Sequence, residues 1–163
     1  MLFRSGTVSI GTEVLAAVLV EIGRSACRFA GRLAFVNGHG GNVFALRAAV
    51  PLLRAEGRDV GWFPCGVVGS DAHAGRHETS VMLALAPSEV RSDLAAAGNT
   101  APLAELMPAI SAGSVRDVSA NGVLGDPAGA SAGEGAEALS IMVAALTAAI
   151  GRWHVDDATG RLR

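Results

Sequence analysis

The 163-residue chain contains no lysine and no tyrosine, and aromatic residues make up only 4% of it. Arginine supplies every strongly basic side chain, and the formal net charge is −2. That balance provides no basic field for a phosphate backbone, so nucleic acid is not an expected partner. Only two cysteines occur, Cys27 and Cys65, with no CxxC spacing. They read as buried free thiols in a reducing cytoplasm and not as a disulfide framework. Charged residues amount to 17%, but half of the chain is apolar, which excludes a disordered polymer. Long hydrophobic runs are scarce as well. The uncharged stretch from Ala138 to Gly151 falls short of a membrane span, so no membrane is expected. The N-terminal MLFRSGTVSIG lacks the apolar centre and cleavage site of a signal peptide. What remains is the length of one domain able to bury a core, expected in the cytoplasm.

Strand and helix patterns alternate in what is there. Thr12 can cap a helix on which Val14, Leu15, Val18, Leu19 and Ile22 form one apolar stripe, running out near Ala30-Gly31. Leu33 to Val36 reads as a short buried strand. Asn42 can cap a second helix that ends at Gly57, with Pro51 inside it expected to kink or split it. Asp59 to Cys65 reads as a second strand, stopped by Pro64, and Glu78 to Ala86 as a third helix before Pro87. Residues 88 to 130 are irregular, with short helical pieces, and a last helix runs from about Gly133 to Trp153 with Glu134 in its first turn. This order implies an α/β fold with parallel strands and crossover helices.

Ligands of open parallel sheets bind beyond the carboxyl ends of the strands. NGHGGN leaves the first predicted strand there, and GSDAHAGRHETS leaves the second. Three of the four histidines of the chain, His39, His73 and His77, lie in these two loops. His39, flanked by glycines, can ligate a divalent metal because small neighbours admit other ligands and substrate. Taken by itself, GHGG is equally a strand-to-helix turn; a phosphate cradle is disfavoured by its spacing. In the second loop, Asp71 stands two residues before His73, a spacing that lets a carboxylate orient an imidazole. Glu78 opens a helix and can offer an oxygen ligand or merely suit the helix dipole, and His77 reads as a solvated position beside Arg76. Together the loops point to a metal-dependent hydrolase.

The stretches GTVSIGTE, FVNGHGGN, DAHAGRHETS and GVLGDPAGASAGEG, in this order, resemble the creatininase family of metal-dependent amidohydrolases. Within it, VGWFPC, AAGNTAPLAELMPAI and the closing GRLR are most like a branch of peptidases that remove a C-terminal Val-Tyr dipeptide from a modified precursor peptide during maturation of a redox cofactor. The resemblance implies a creatininase-like three-layer α/β/α domain over residues 1–163 with a mostly parallel sheet. It makes His39 and Glu78 metal ligands, His73 the catalytic imidazole with Asp71 beside it, and Asn37, Gly38, Gly40 and Gly41 the shapers of the loop. Fe(II) or zinc, with manganese a third choice, is the implied metal, a precursor peptide the implied substrate, and a homo-oligomer the implied assembly. The implied chemistry is attack of metal-activated water on an amide carbonyl, His73 passing a proton to the leaving nitrogen.

The chain also departs from the family pattern. Nothing in it matches the family's opening strand and Glu-x-His-Gly-Pro-His-x-Pro-x-x-x-Asp segment, and the His-x-x-Phe-Pro-Gly-Thr loop is replaced by Leu2-Phe3-Arg4-Ser5-Gly6-Thr7. A chain without that strand is expected to leave a neighbouring strand edge unpaired, and a start codon placed too late would account for the departure. His39 and Glu78 alone fall short of the three protein ligands usual for a catalytic metal. Two further expectations follow: an inactive member acting as a structural or oligomerising subunit, or an amidohydrolase of a small cyclic amide. A nucleotide- or phosphate-binding module is a distant third.

Overall fold

The computed structural model describes residues 8–163; the Leu2–Thr7 departure lies outside the described residues. Contacts divide the chain into two compact units.

The first unit comprises Ser9–Gly66 and Ala144–Arg163. Helix α1 (Thr12–Ala26) begins after Gly11, which has no side chain to cap it, so the expected Thr12 cap is displaced by one residue. Strand β1 (Leu33–Asn37) follows, then α2 (Val43–Ala55) and strand β2 (Val60–Pro64). Pro51 lies inside α2 without splitting it. The strands pair in parallel, with Leu33 opposite Val60 and Asn37 opposite Pro64. Val20 of α1, Leu46, Val50 and Leu53 of α2, and Val60 and Trp62 of β2 form the core, with Leu33 and Phe35 packed against it.

Three sequence expectations change here. The α1 stripe is wider than the face its neighbours cover: Leu15 and Leu19 are half-buried, whereas Val14, Val18 and Ile22 are exposed. Cys27 is half-buried and Cys65 exposed, because Cys65 follows Pro64 out of the strand; both are free thiols, but neither is fully buried. The tail, read only as a resemblance to GRLR, is a structural piece. Trp62 N–H donates to Gly160 O at 3.0 Å, Leu162 N–H donates to Trp62 O at 2.8 Å, and Leu162 is buried. The tail thereby lies along the outer side of β2 and makes a parallel bridge to it at Arg161. Among the described residues, the other edge of β1 has no strand partner.

The second unit is built on Val67–Val143. It contains α3 (Arg76–Leu85), which starts two residues before the expected Glu78, then α4 (Leu103–Ala112), α5 (Val115–Val118) and the first half of α6 (Ala132–Arg152). Its own core is Leu106, Ile110, Val115 and Leu124, with Ala72, Ala101 and Val118 against it. Helix α6 has 21 residues and is long and apolar enough to cross a membrane by length and composition. The helix agrees with the expected span of about Gly133 to Trp153; the uncharged stretch Ala138–Gly151 is only the part of it that follows Glu137. The whole is α/β, largely helical with a small parallel sheet.

Candidate active site

Each predicted loop is held by a polar side chain bonded to the backbone around it. In the first unit, Asn37 ends β1 and is buried. Its Nδ2 donates to His39 O at 2.9 Å, and its Oδ1 accepts from His39 N–H and from Asn42 Nδ2, each at 3.3 Å. Asn37 thus curls the chain around an extended, exposed His39. The His39 ring lies over Gly41, where a Cβ would fall 2.7 Å from Nε2, closer than atoms pack. The sequence expectation that the Asn42 side chain caps α2 is not met; it turns back to Asn37 across a 3-10 turn, Gly40–Asn42.

In the second unit, DAHAG pairs with VLG. His73 N–H donates to Leu124 O at 3.2 Å, and Leu124 N–H donates to His73 O at 2.8 Å. The carboxylate of Asp71 accepts from the backbone N–H of Arg76 and, at 3.1 Å, from that of His77. It therefore caps α3, whose N-cap residue Gly75 has no side chain to do so. A Cβ on Gly75 or Gly125 would overlap Asp71, so both positions must lack one for the carboxylate to fit. The imidazole-orienting role that spacing suggested for Asp71 falls instead to Glu78. Its Oε2 lies 3.3 Å from His73 Nδ1 and accepts the Ala74 N–H at 2.6 Å. Ala74 has φ +52, a left-handed conformation costing a non-glycine residue about 1–2 kcal/mol. The turn reverses the chain so that His73 and Glu78 meet.

The hydrogen bond from His73, helped by the Ala74 amide, holds the Glu78 carboxyl below its ordinary range, against the opposing effect of burial. His77 is half-buried, where sequence had placed it in solvent, because its N–H is tied to Asp71. Beside the turn lies an open groove of about 550 Å³ lined by Asp71, Asn99, Thr100, Leu103, Leu124 and Asp126 among others. Asn99, not singled out from sequence, is one of its lining residues and is held in place: Nδ2 donates to Val118 O and Oδ1 accepts from Ala101 N–H, both at 2.9 Å.

His39 belongs to one unit and Glu78 to the other, and Glu78 is engaged by His73 and Ala74. Among the described residues, no three of His, Cys, Asp and Glu converge to hold an ion. The described residues therefore do not fit a three-ligand catalytic metal. What the geometry does supply is a carboxylate–imidazole pair on a hydrogen-bonded turn, a pairing chemically able to move a proton.

The chain belongs to the creatininase family: the family model described as creatinine amidohydrolase matches residues 4–150. Among individual proteins, it is 56% identical over 151 residues to a mycofactocin precursor peptide peptidase of Mycolicibacterium smegmatis, covering 93% of this chain and 61% of that one. The protein of the same name from Mycobacterium ulcerans is 56% identical over 149 residues, 91% of this chain and 60% of that one. A Mycobacterium tuberculosis counterpart gives the same identity and covers 91% and 59%. The chain thus spans about three fifths of the length of the curated relatives it matches. No solved structure matches it significantly.

Proposed function

We propose that this chain acts as a creatininase-family, metal-dependent peptidase that cleaves a precursor peptide near its C-terminus. The observation that carries the reading is the 56% identity to precursor peptide peptidases along nine tenths of the chain. The turn adds a mechanism. Glu78 accepts from Nδ1 of His73, which leaves Nε2 to hand a proton to the departing amide nitrogen. Glu78 fixes the ring orientation, and Asp71 holds the helix from which Glu78 projects.

Family members typically use a divalent metal. We propose Fe(II) or zinc, with manganese as the further choice, as the metal, and His39 and Glu78 each as a candidate donor within its own unit. No step is written through the ion. We place the protein in the cytoplasm as a homo-oligomer. The exposed residues Val14, Val18 and Ile22 along one side of α1 support subunit contacts. We infer a three-layer α/β/α arrangement with a mostly parallel sheet, of which α1, α2 and the β1–β2 pair are parts.

Incubation of the protein with iron or zinc and a peptide ending in Val-Tyr tests this reading. Release of the dipeptide is expected; turnover of creatinine without turnover of the peptide would replace the peptidase by an amidohydrolase of a small cyclic amide. A second reading, an inactive structural subunit, is favoured by the lack of a three-donor cluster among the described residues. A folded oligomer that holds no metal after gel filtration and cleaves nothing would establish it.

A further inference from the structure

The motif GASAGEG at the start of α6 finds no use in the proton-transfer pair, yet it touches the helix that carries Glu78. The Arg76 guanidinium binds Glu134 in a bidentate fork, with Nε 3.2 and 3.0 Å from Oε1 and Oε2 and Nη2 on Oε1. Ser80, buried at 2% exposure, donates its hydroxyl to Glu134 Oε2 at 3.2 Å and accepts the Ser131 N–H at 3.1 Å. Ser131 Oγ in turn accepts the Glu134 N–H at 3.2 Å. At Gly135 a Cβ would overlap the carbonyl of Ser80, so the two helices meet backbone to backbone with no side chain between them.

The geometry of α3 converts this contact into a rotational setting. Arg76 and Ser80 are four residues apart and share one face, while Glu78 lies roughly 160–200° around the helix from each. A clamp on the Arg76–Ser80 face therefore decides where Glu78 points. We infer that Glu134 is a positioning residue: through Arg76 and Ser80 it sets the rotation of α3 and so holds Glu78 on the Ala74 amide and on His73. An isolated exposed ion pair would do little. This one is bidentate, carries a third bond to a buried hydroxyl and sits on a glycine contact.

Its consequence for catalysis rests on the hydrolase reading above; its consequence for the turn does not. The Ala74 amide, which donates to Glu78, is the reporter, followed by NMR with hydrogen exchange. In Glu134→Ala, exchange at Ala74 should accelerate about tenfold and its resonance should move upfield, while the Leu106 and Ile110 amides of α4 stay unchanged. Glu134→Gln, which keeps an acceptor for Ser80, should fall between the two. Should Glu134→Ala fail to fold, Ser80→Ala is expected to move the same resonance. On the Val-Tyr peptide, kcat should fall while KM stays within about twofold. An unmoved Ala74 amide, with or without a lower melting temperature, would overturn the inference, as would equal loosening of α4. Absence of hydrolysis by the unaltered protein would refute the function and leave the amide result to decide the positioning role.

Discussion

Glu78 Oε2 stands 3.3 Å from His73 Nδ1, across a turn whose central residue, Ala74, is left-handed. The carboxylate is held in its charged form chiefly by that imidazole, and the imidazole is aimed by the carboxylate. Each member of the pair depends on the other, and the consequences differ by variant. His73→Ala should lower peptide turnover by ~10²–10⁴, the usual cost of losing a proton-transfer group, and should leave bound metal in place. Measuring both kcat and metal content separates the roles; equal metal loss would make His73 a ligand.

His39 is exposed and its ring is packed only over glycine. His39→Ala should therefore leave the melting temperature within about 2 °C of the parent, since surface substitutions stay within ~0.5 kcal/mol. Zinc affinity should fall. Calorimetric titration with zinc showing the same affinity for both proteins would remove His39 from the ligand set.

Asp71 behaves as a cap. Asp71→Ala should cost about 1 kcal/mol, within the range for loss of an N-terminal cap. Gly125→Ala should also destabilise, because the new methyl group meets the Asp71 carboxylate and the residue has φ +148. Urea unfolding checks both. A neutral Asp71→Ala would mean that other groups satisfy the Arg76 and His77 amides.

Leu53 is fully buried between α1 and β2 in the first unit. Leu53→Ala should cost about 2–5 kcal/mol, transfer plus cavity. Because Cys65 is exposed and Cys27 half-buried, a thiol reagent should modify Cys65 first in the native protein, and Leu53→Ala should narrow the gap between their rates.

The tail carries a pH dependence. Hydrogen bonds from Thr159, with Arg163 nearby, hold the Asp156 carboxyl below its ordinary value. A depressed folded pKa contributes stability that is present above the unfolded value, near 4, and is lost as pH falls through the folded value. The tail should therefore stay docked at neutral pH and loosen below about pH 4. Trp62 fluorescence should report this, since its indole N–H donates to Thr159 O at 2.8 Å. In Asp156→Asn the acid-induced change should be smaller.

Local chemistry determined much of this protein. The helices, the two parallel strands and the gathering of polar residues into two loops follow from apolar periodicity, glycine and proline, all set by neighbours along the chain. The order of four short motifs carried the family. Long-range partners were beyond that reading. Asp71 and Glu78 are both acids within hydrogen-bonding reach of the same turn by spacing, and only the left-handed Ala74 decides that Glu78 meets His73 while Asp71 caps α3. Arg76 and Glu134 are 58 residues apart, and Trp62 and Thr159 are 97. No periodicity records such pairs, because they arise when separate elements pack and a buried polar group must find a partner. The α1 stripe shows the same boundary: sequence determined that it is apolar, and packing decided that only part of it is covered.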